Sequence, residues 1–322
     1  MPNTSILPTA FAPRDLQSVM ALLRTCLPLE PITVESFTRR VLLDPNFDPT
    51  GALVLRGTEG DAIGFVLAMA IDGNKSRPSS EGGRGWITLF AVSPGARRQG
   101  LGSRLFEAAE SYLAGRGCTS VWIAPYGPGY WIPGVDEAAY PEAVSWLPRR
   151  GYAVVTRPLA MEVALGADWS APAKAAAAFA RLSRQGIDLL AFAPEHTLPI
   201  LEFLRKEFTG DWVTTARETM RDILAGHRSC NSIWSAMRGG ECIAFAQFDG
   251  ERFGPIGVAD GERGRGIGTS VMYAVLSAMQ QARLPRAYFL WTTDATAAQL
   301  YIPAGFREVR RFQVVKKELR WK

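Results

Sequence analysis

The chain has 322 residues, 47% hydrophobic and 21% charged, with two histidines, four cysteines and a formal net charge of +5. That length predicts about two domains, each large enough for its own core. The longest apolar runs, such as residues 64–71, are strand-sized, which excludes a membrane-spanning helix.

In chain order, residues 5–11 read as a short strand and 13–26 as an amphipathic helix with Pro13 at its start. A second helix, capped near Thr33, follows over 33–43. Residues 52–56 and 63–71 form a hairpin, and 73–84, rich in Ser, Gly and charge, a flexible loop. A strand over 86–92, a helix over 103–113 and a strand over 121–124 complete a first pass. An Ala-rich stretch at 166–185 is a helical linker. The second pass repeats the order: a strand from 187, helices over 195–208 and 215–224, and paired strands over 232–237 and 242–248. A strand over 253–258, helices over 269–281 and 297–304 and strands over 286–292 and 312–317 close it.

One pattern occurs twice, offset from Val92 to Val258. The first copy is Val92-Ser93-Pro94-Gly95-Ala96-Arg97-Arg98-Gln99-Gly100-Leu101-Gly102; the second is Val258-Ala259-Asp260-Gly261-Glu262-Arg263-Gly264-Arg265-Gly266-Ile267-Gly268. Each joins a strand to a helix. The first N–H groups of a helix lack intrahelical partners and carry partial positive charge, and glycine lets an anion approach them. Arg97 and Arg263 add charge-assisted donors. The element is a cradle for a nucleotide-like anion, and its duplication implies two similar domains. A P-loop is absent, and Gly264-x-Gly266-x-Gly268 lacks the dinucleotide-fold spacing.

Arg-x-x-Gly-x-Gly between a strand and a helix resembles the acetyl-CoA signature of the GNAT superfamily of N-acetyltransferases. Asp294-Ala295-Thr296-Ala297-Ala298-Gln299-Leu300-Tyr301-Ile302-Pro303-Ala304-Gly305-Phe306 is similar to the family's Asn-x-x-Ala-x-x-Leu-Tyr-x-x-x-Gly-Phe helix, with Asp294 in place of Asn. Residues 143–152 carry a weaker version. The resemblance implies an α/β fold of two tandem domains, each a mixed, mostly antiparallel sheet flanked by helices. The expected boundaries are 1–165, a linker over 166–185, and 186–322. It also implies acetyl-CoA as cosubstrate, held by Val92, Arg97, Arg98, Gln99, Gly100, Leu101, Gly102 and Ser103, and by Val258, Arg263, Gly264, Arg265, Gly266, Ile267, Gly268 and Thr269.

The halves differ. In the family the Tyr four residues before the helix-ending Gly protonates the departing thiolate; here it is Tyr301 in the second half and Leu147 in the first. The resemblance therefore makes the C-terminal half catalytic, with Tyr301 as general acid to the CoA thiolate, and leaves the first half a cofactor-binding domain. Catalysis in the first half, with Tyr130 or Tyr140 as acid, stays open. An aromatic, Gly/Pro-rich insertion over 126–140 fits a substrate lid, an interdomain contact, or a loop packing its aromatics against the core. Asp211, Asp249 and Glu251 are candidate bases and Trp212 a candidate wall for the acceptor.

The expected acceptor is a small-molecule amine attacked directly in a ternary complex, with no metal, nucleic acid or membrane partner. A net charge of +5 suits an anionic cofactor and is mild for nucleic-acid binding. Cys26, Cys118, Cys230 and Cys242 lack metal-ligand spacing and read as reduced thiols of a cytoplasmic protein. The amino terminus shows no signal-peptide pattern. An acyl-CoA-binding regulatory protein without turnover is the alternative.

Overall fold

The computed structural model describes residues 6–71, 83–127, 130–208 and 210–319. They divide into two compact units: Met1–Pro158 with Arg311–Lys322, and Leu159–Arg310. This division departs from the boundaries expected above. Residues 159–165 belong with the second unit, and the chain's last stretch belongs with the first.

The first unit contains β1 (Thr9–Ala10), α1 (Leu16–Cys26), α2 (Val34–Phe37), β2 (Ala52–Arg56), β3 (Ala62–Ala70) and β4 (Arg84–Val92). It continues with α3 (Leu101–Gly115), β5 (Ser120–Ile123), β6 (Val135–Asp136), α4 (Pro141–Trp146) and β7 (Ala153–Thr156). Local chemistry explains the starts. Pro13 opens the single 3₁₀ turn before α1. Thr33 caps α2, its hydroxyl accepting from the Ser36 N–H while the Ser36 hydroxyl accepts from the Thr33 N–H. The strand expected over 5–11 shrinks to β1, and most of the expected 73–84 loop lies outside the described residues.

The second unit contains β8 (Leu159–Ala164), α5 (Ala173–Arg184), β9 (Ile187–Ala191), α6 (Thr197–Glu207), α7 (Trp212–Leu224), β10 (Ile233–Arg238) and β11 (Glu241–Asp249). There follow β12 (Arg252–Val258), α8 (Ile267–Gln281), β13 (Arg286–Thr292) and α9 (Asp294–Thr296), which continues as π and 3₁₀ turns to Ala304. The last strand, β14 (Arg307–Glu318), is longer than expected, and its part from Arg311 onward belongs to the first unit.

Within the first unit the strand order is β1-β2-β3-β4-β5-β14, with β6 and β7 also pairing with β14. Among the described residues β4 and β5 are its one parallel pair. In the second unit the order is β8-β13-β12-β11-β10-β9, with β12 and β13 parallel. Each central strand is covered on both faces, and side-chain alternation divides its residues between two cores. In β3, Phe65, Leu67 and Met69 pack with Val19, Met20, Leu23 and Phe37. Val66, Ala68 and Ala70 pack with Leu101, Leu105 and Phe106. In the second unit Phe245 packs with Ile200, Leu204 and Met220, while Ala244, Ala246 and Phe248 face Val271, Val275 and Met279.

The described part of the insertion over 126–140 packs inward. Tyr126 is buried edge-on against Trp86 at 5.5 Å, and Val135 and Asp136 pair with Gln313 and Phe312. Gly134 lies so close to β14 that a Cβ there would clash with the Gln313 carbonyl oxygen. Gly134→Ala should therefore loosen the chain's last strand from the first unit. The expected loss is about 1–3 kcal/mol, typical of overpacking against backbone, read as a lower urea midpoint with the slope unchanged. An unaltered midpoint would contradict the placement of β14.

Candidate functional site

In both units the parallel pair holds together only at its start. Arg84, Gly85 and Trp86 pair with Ser120, Val121 and Trp122, after which β4 and β5 part. In the second unit the one matched pair is Arg252 with Tyr288. A register shift bends β4 and β12 at the same place. Leu67 faces Leu89 and Ala68 faces Ile87, so Thr88 is extra. Ala246 faces Ile256 and Phe248 faces Phe253, so Gly254 and Pro255 lie opposite Gln247 alone. Bulges of this kind turn a strand away from its neighbour. Pro255 offers no N–H at this bend, whereas Thr88 and Leu89 each do.

Each bent strand delivers the chain into its glycine turn. Gly100 and Gly266 are the N-caps of α3 and α8, with φ of 78° and 82°, and neither helix has a side-chain cap. A left-handed residue there favours glycine, and the free N–H groups of the first turn face whatever ligand approaches. At Gly100 a Cβ would meet nothing within 4 Å; at Gly266 it would lie 2.9 Å from Nη2 of Arg181, on α5. That arginine carried no signal in the sequence.

The ion pairs differ between the turns. Arg97 donates to the Val92 carbonyl at 3.1 Å and to Glu142 at 3.1 Å. Cys26 also donates to the Val92 carbonyl, at 3.4 Å, and burial pushes its thiol pKa up. In the second turn Asp260 and Glu262 replace Pro94 and Ala96. Arg263 pairs with Asp260 at 2.6 Å and Arg265 with Glu262 at 2.7 Å, and Arg238 grips Glu262 at 2.6 and 2.9 Å. The Arg238 hydrogen bonds hold the Glu262 carboxyl below its ordinary range.

The first unit has a cleft of about 900 Å³ running from this turn along the bent strand. Val92, Arg97, Arg98, Gly100, Gly102 and Ser103 line one end; Thr25–Leu29 and Tyr140 line another part of the wall. Leu101 lines it too, whereas Gln99 turns back to the Gly95 carbonyl. Trp146, missed in the sequence, also lines the cleft, edge-on to Phe106 at 4.8 Å. The Tyr140 hydroxyl donates to the buried Glu30 at 3.2 Å.

In the second unit Tyr301 is 6% exposed, its ring 4.3 Å from Phe289 and 6.5 Å from Phe253, on the two strands that part. Burial raises its pKa, so it keeps its proton. Leu147, in the equivalent place, is buried as well. Val258 is half-buried against the same core, Ile267 is buried within it, and a Cβ at Gly268 would lie 3.1 Å from Val258. Gly264 also has positive φ, and Thr269 is half-buried in the first turn of α8.

Of the five candidates for the acceptor side, the four in the second unit lie in two places, the start of α7 and the turn between β11 and β12. Trp212 stacks on Phe208 at 4.1 Å, and a Cβ on Gly257 would meet the Phe208 ring, so this aromatic pair packs on β12. Asp211 is the N-cap residue of α7, though its side chain makes no capping bond. Glu251 is bound by Arg286 at 2.7 Å, and Asp249 by Arg228 at 2.6 Å, both around the turn at the opposite end of β12 from Val258. Tyr130 is half-buried and its carbonyl accepts from Arg40 at 3.2 Å.

The profile of the acetyltransferase (GNAT) family matches residues 16–127 and again 197–306, together well over half of the chain. The chain belongs to the GNAT family. It carries two copies of the domain, and acetyl-CoA is the family's cosubstrate. A 75-residue stretch is 37% identical to aminoglycoside N(6')-acetyltransferase type 1 of Klebsiella aerogenes, spanning 22% of this chain and 45% of that enzyme. Among solved structures, a GCN5-related N-acetyltransferase from Sphaerobacter thermophilus superposes with a TM-score of 0.71 at 18% identity, over 98% of this chain and 96% of that one. The GCN5-related glucosamine N-acetyltransferase region of a fungal multi-domain GH3 β-N-acetylglucosaminidase gives 0.78 at 19% identity, over 96% of this chain and 38% of that one. At these identities the structural likeness is one of fold. Both turns of this GNAT pair fit an anionic cofactor: uncapped helix N-termini, left-handed glycines and neighbouring arginines. Among the described residues no cluster of His, Cys, Asp and Glu could hold a metal ion, and no helix is long and apolar enough to cross a membrane. The four cysteines are free thiols, three buried and Cys230 exposed.

The Glu262 pairs make a signed prediction. Its lowered pKa stabilises the fold above the ordinary carboxyl value of 4.5, and that contribution is lost as pH falls through the folded value. Glu262→Gln should be less stable than the parent at pH 7, and the gap should shrink in melts below about pH 4. A gap that does not depend on pH would rule the ion pairs out as its cause.

Proposed function

We propose that this protein transfers an acetyl group from acetyl-CoA to a primary amine by direct attack in a ternary complex. The observation that carries the reading is the pair of helix N-termini, each without a side-chain cap and each preceded by a left-handed glycine, at the ends of the two bent strands. The first-turn N–H groups of α3 and α8 would hold the pyrophosphate. The acceptor reaches the site mostly as an ammonium, because alkyl amines have pKa values near about 10, so it must lose a proton before attack. The thiolate leaving group needs a proton in return.

Tyr301 supplies that proton in this reading. It stands where the second parallel pair parts and holds its proton at working pH, and the acetyl-CoA bound there is the one that turns over. The first unit then binds acetyl-CoA without a matching acid, since Leu147 cannot donate. A second reading places turnover in the first unit. The open cleft favours it, as do the N–H groups at Thr88 and Leu89 and the Tyr140–Glu30 pair on its wall.

Calorimetric titration with acetyl-CoA, followed by turnover with a panel of amines, separates these readings. Tyr301→Phe should lower kcat by about 10²-fold while leaving acetyl-CoA affinity intact. Gly266→Glu should abolish turnover and Gly100→Glu should spare it. The reverse pattern assigns catalysis to the first unit, and a chain that binds no acetyl-CoA at either turn is not an acetyltransferase.

A further inference from the structure

The two glycine turns hold their cations differently. In the first, Arg97 is paired with Glu142, and Arg98 makes no ion pair among the described residues. In the second, both arginines of the turn are taken: Arg263 by Asp260, and Arg265 by Glu262, which Arg238 also holds. The position of Arg98 is occupied there by Gly264. A pyrophosphate approaching this turn meets two carboxylates that the first turn lacks.

Arg181 restores the balance. It is an exposed residue on α5, the helix that follows β8, and it makes no ion pair among the described residues. Its Nη2 donates to the Arg265 carbonyl at 3.2 Å and covers the side of Gly266 where a Cβ would project. That open side is what a glycine at a helix N-terminus leaves for an anion. α5 packs on β9 and α8, which holds the guanidinium near the turn. The same place is empty at Gly100.

We propose that Arg181 is a pyrophosphate-binding residue of the second unit, turning from the Arg265 carbonyl to the bound cofactor and supplying the charge that Glu262 withdraws from Arg265. This rests on the reading that the second unit binds acetyl-CoA. A guanidinium donates in pairs to phosphate oxygens, and such charge-assisted bonds exceed a bond to a neutral carbonyl. The exchange therefore favours the bound state.

The test uses the full chain with Gly100→Glu silencing the first turn, its fold checked by circular dichroism. Acetyl-CoA is titrated into this protein with and without Arg181→Ala, and with Arg181→Lys. Arg181→Ala should weaken binding by about tenfold, with Lys recovering part of it. The loss should persist with acetyl-dephospho-CoA, which keeps the pyrophosphate, and vanish in KM for S-acetylpantetheine, which lacks it. A merely structural role would affect all three alike and overturn the proposal. Unchanged or tighter binding in Arg181→Ala also overturns it, tighter binding meaning that the guanidinium only obstructs the turn. If Gly100→Glu folds but binds no acetyl-CoA, the second-unit reading fails and the proposal with it. If it does not fold, the two-site titration of the otherwise unaltered chain gives the same comparison, with only one affinity expected to move.

Discussion

The site depends on two parallel strands that cannot stay paired. One extra residue in β4, and the Gly254-Pro255 pair in β12, break the register with the antiparallel neighbour. Beyond that point the strand leaves its parallel partner, and the sheet opens into a wedge. The turn at the end of the bent strand then sets a helix N-terminus at the wedge's mouth, with glycine in the left-handed conformation. In the first unit apolar walls, an open cleft and a helix N-terminus without a side-chain cap follow together from the bend. A flat, fully paired sheet would have none of them.

The same frame is furnished differently in the two units. Ile87, Ile123 and Leu147 occupy the parting point of the first, where Phe253, Phe289 and Tyr301 occupy it in the second. The larger rings pack against one another and leave one hydroxyl with a raised pKa. On the other face, Phe208 and Trp212 stack over Gly257, a position held by Ala91 in the first unit. Duplication thus kept the backbone device while the side chains diverged, and side chains decide what a wedge can hold.

Much of this was legible beforehand because it is local. Glycine spacing, the strand before it and the amphipathic helix after it are encoded within about a dozen residues, so both turns and the elements around them are legible, whereas β6, α4, β7 and β8, between 124 and 166, are not. The family resemblance named the rest of the frame, and the matches over 16–127 and 197–306 agree with it. Errors fell where partners are distant. Residues 159–165 look like the end of one domain in sequence, yet β8 completes the second sheet, pairing with β13. The last strand looks like the end of the second domain, yet from Arg311 it completes the first sheet beside β5. Periodicity gives a strand its faces and leaves its neighbour unspecified.

Sequence by itself determined the two turns, their glycines and arginines, the order of the strands and helices that lead into and out of them, and the contrast between Tyr301 and Leu147. These are properties of residue type and short spacing. Only the tertiary structure decided which sheet each terminal strand joins, that Asp249 and Glu251 are bound by Arg228 and Arg286, and that Trp212 is stacked on Phe208. It alone brought Arg181 to Gly266 and Gln313 to Gly134. Such contacts join residues many positions apart, and their energy depends on packing and ion pairing that exist only once the chain has closed on itself.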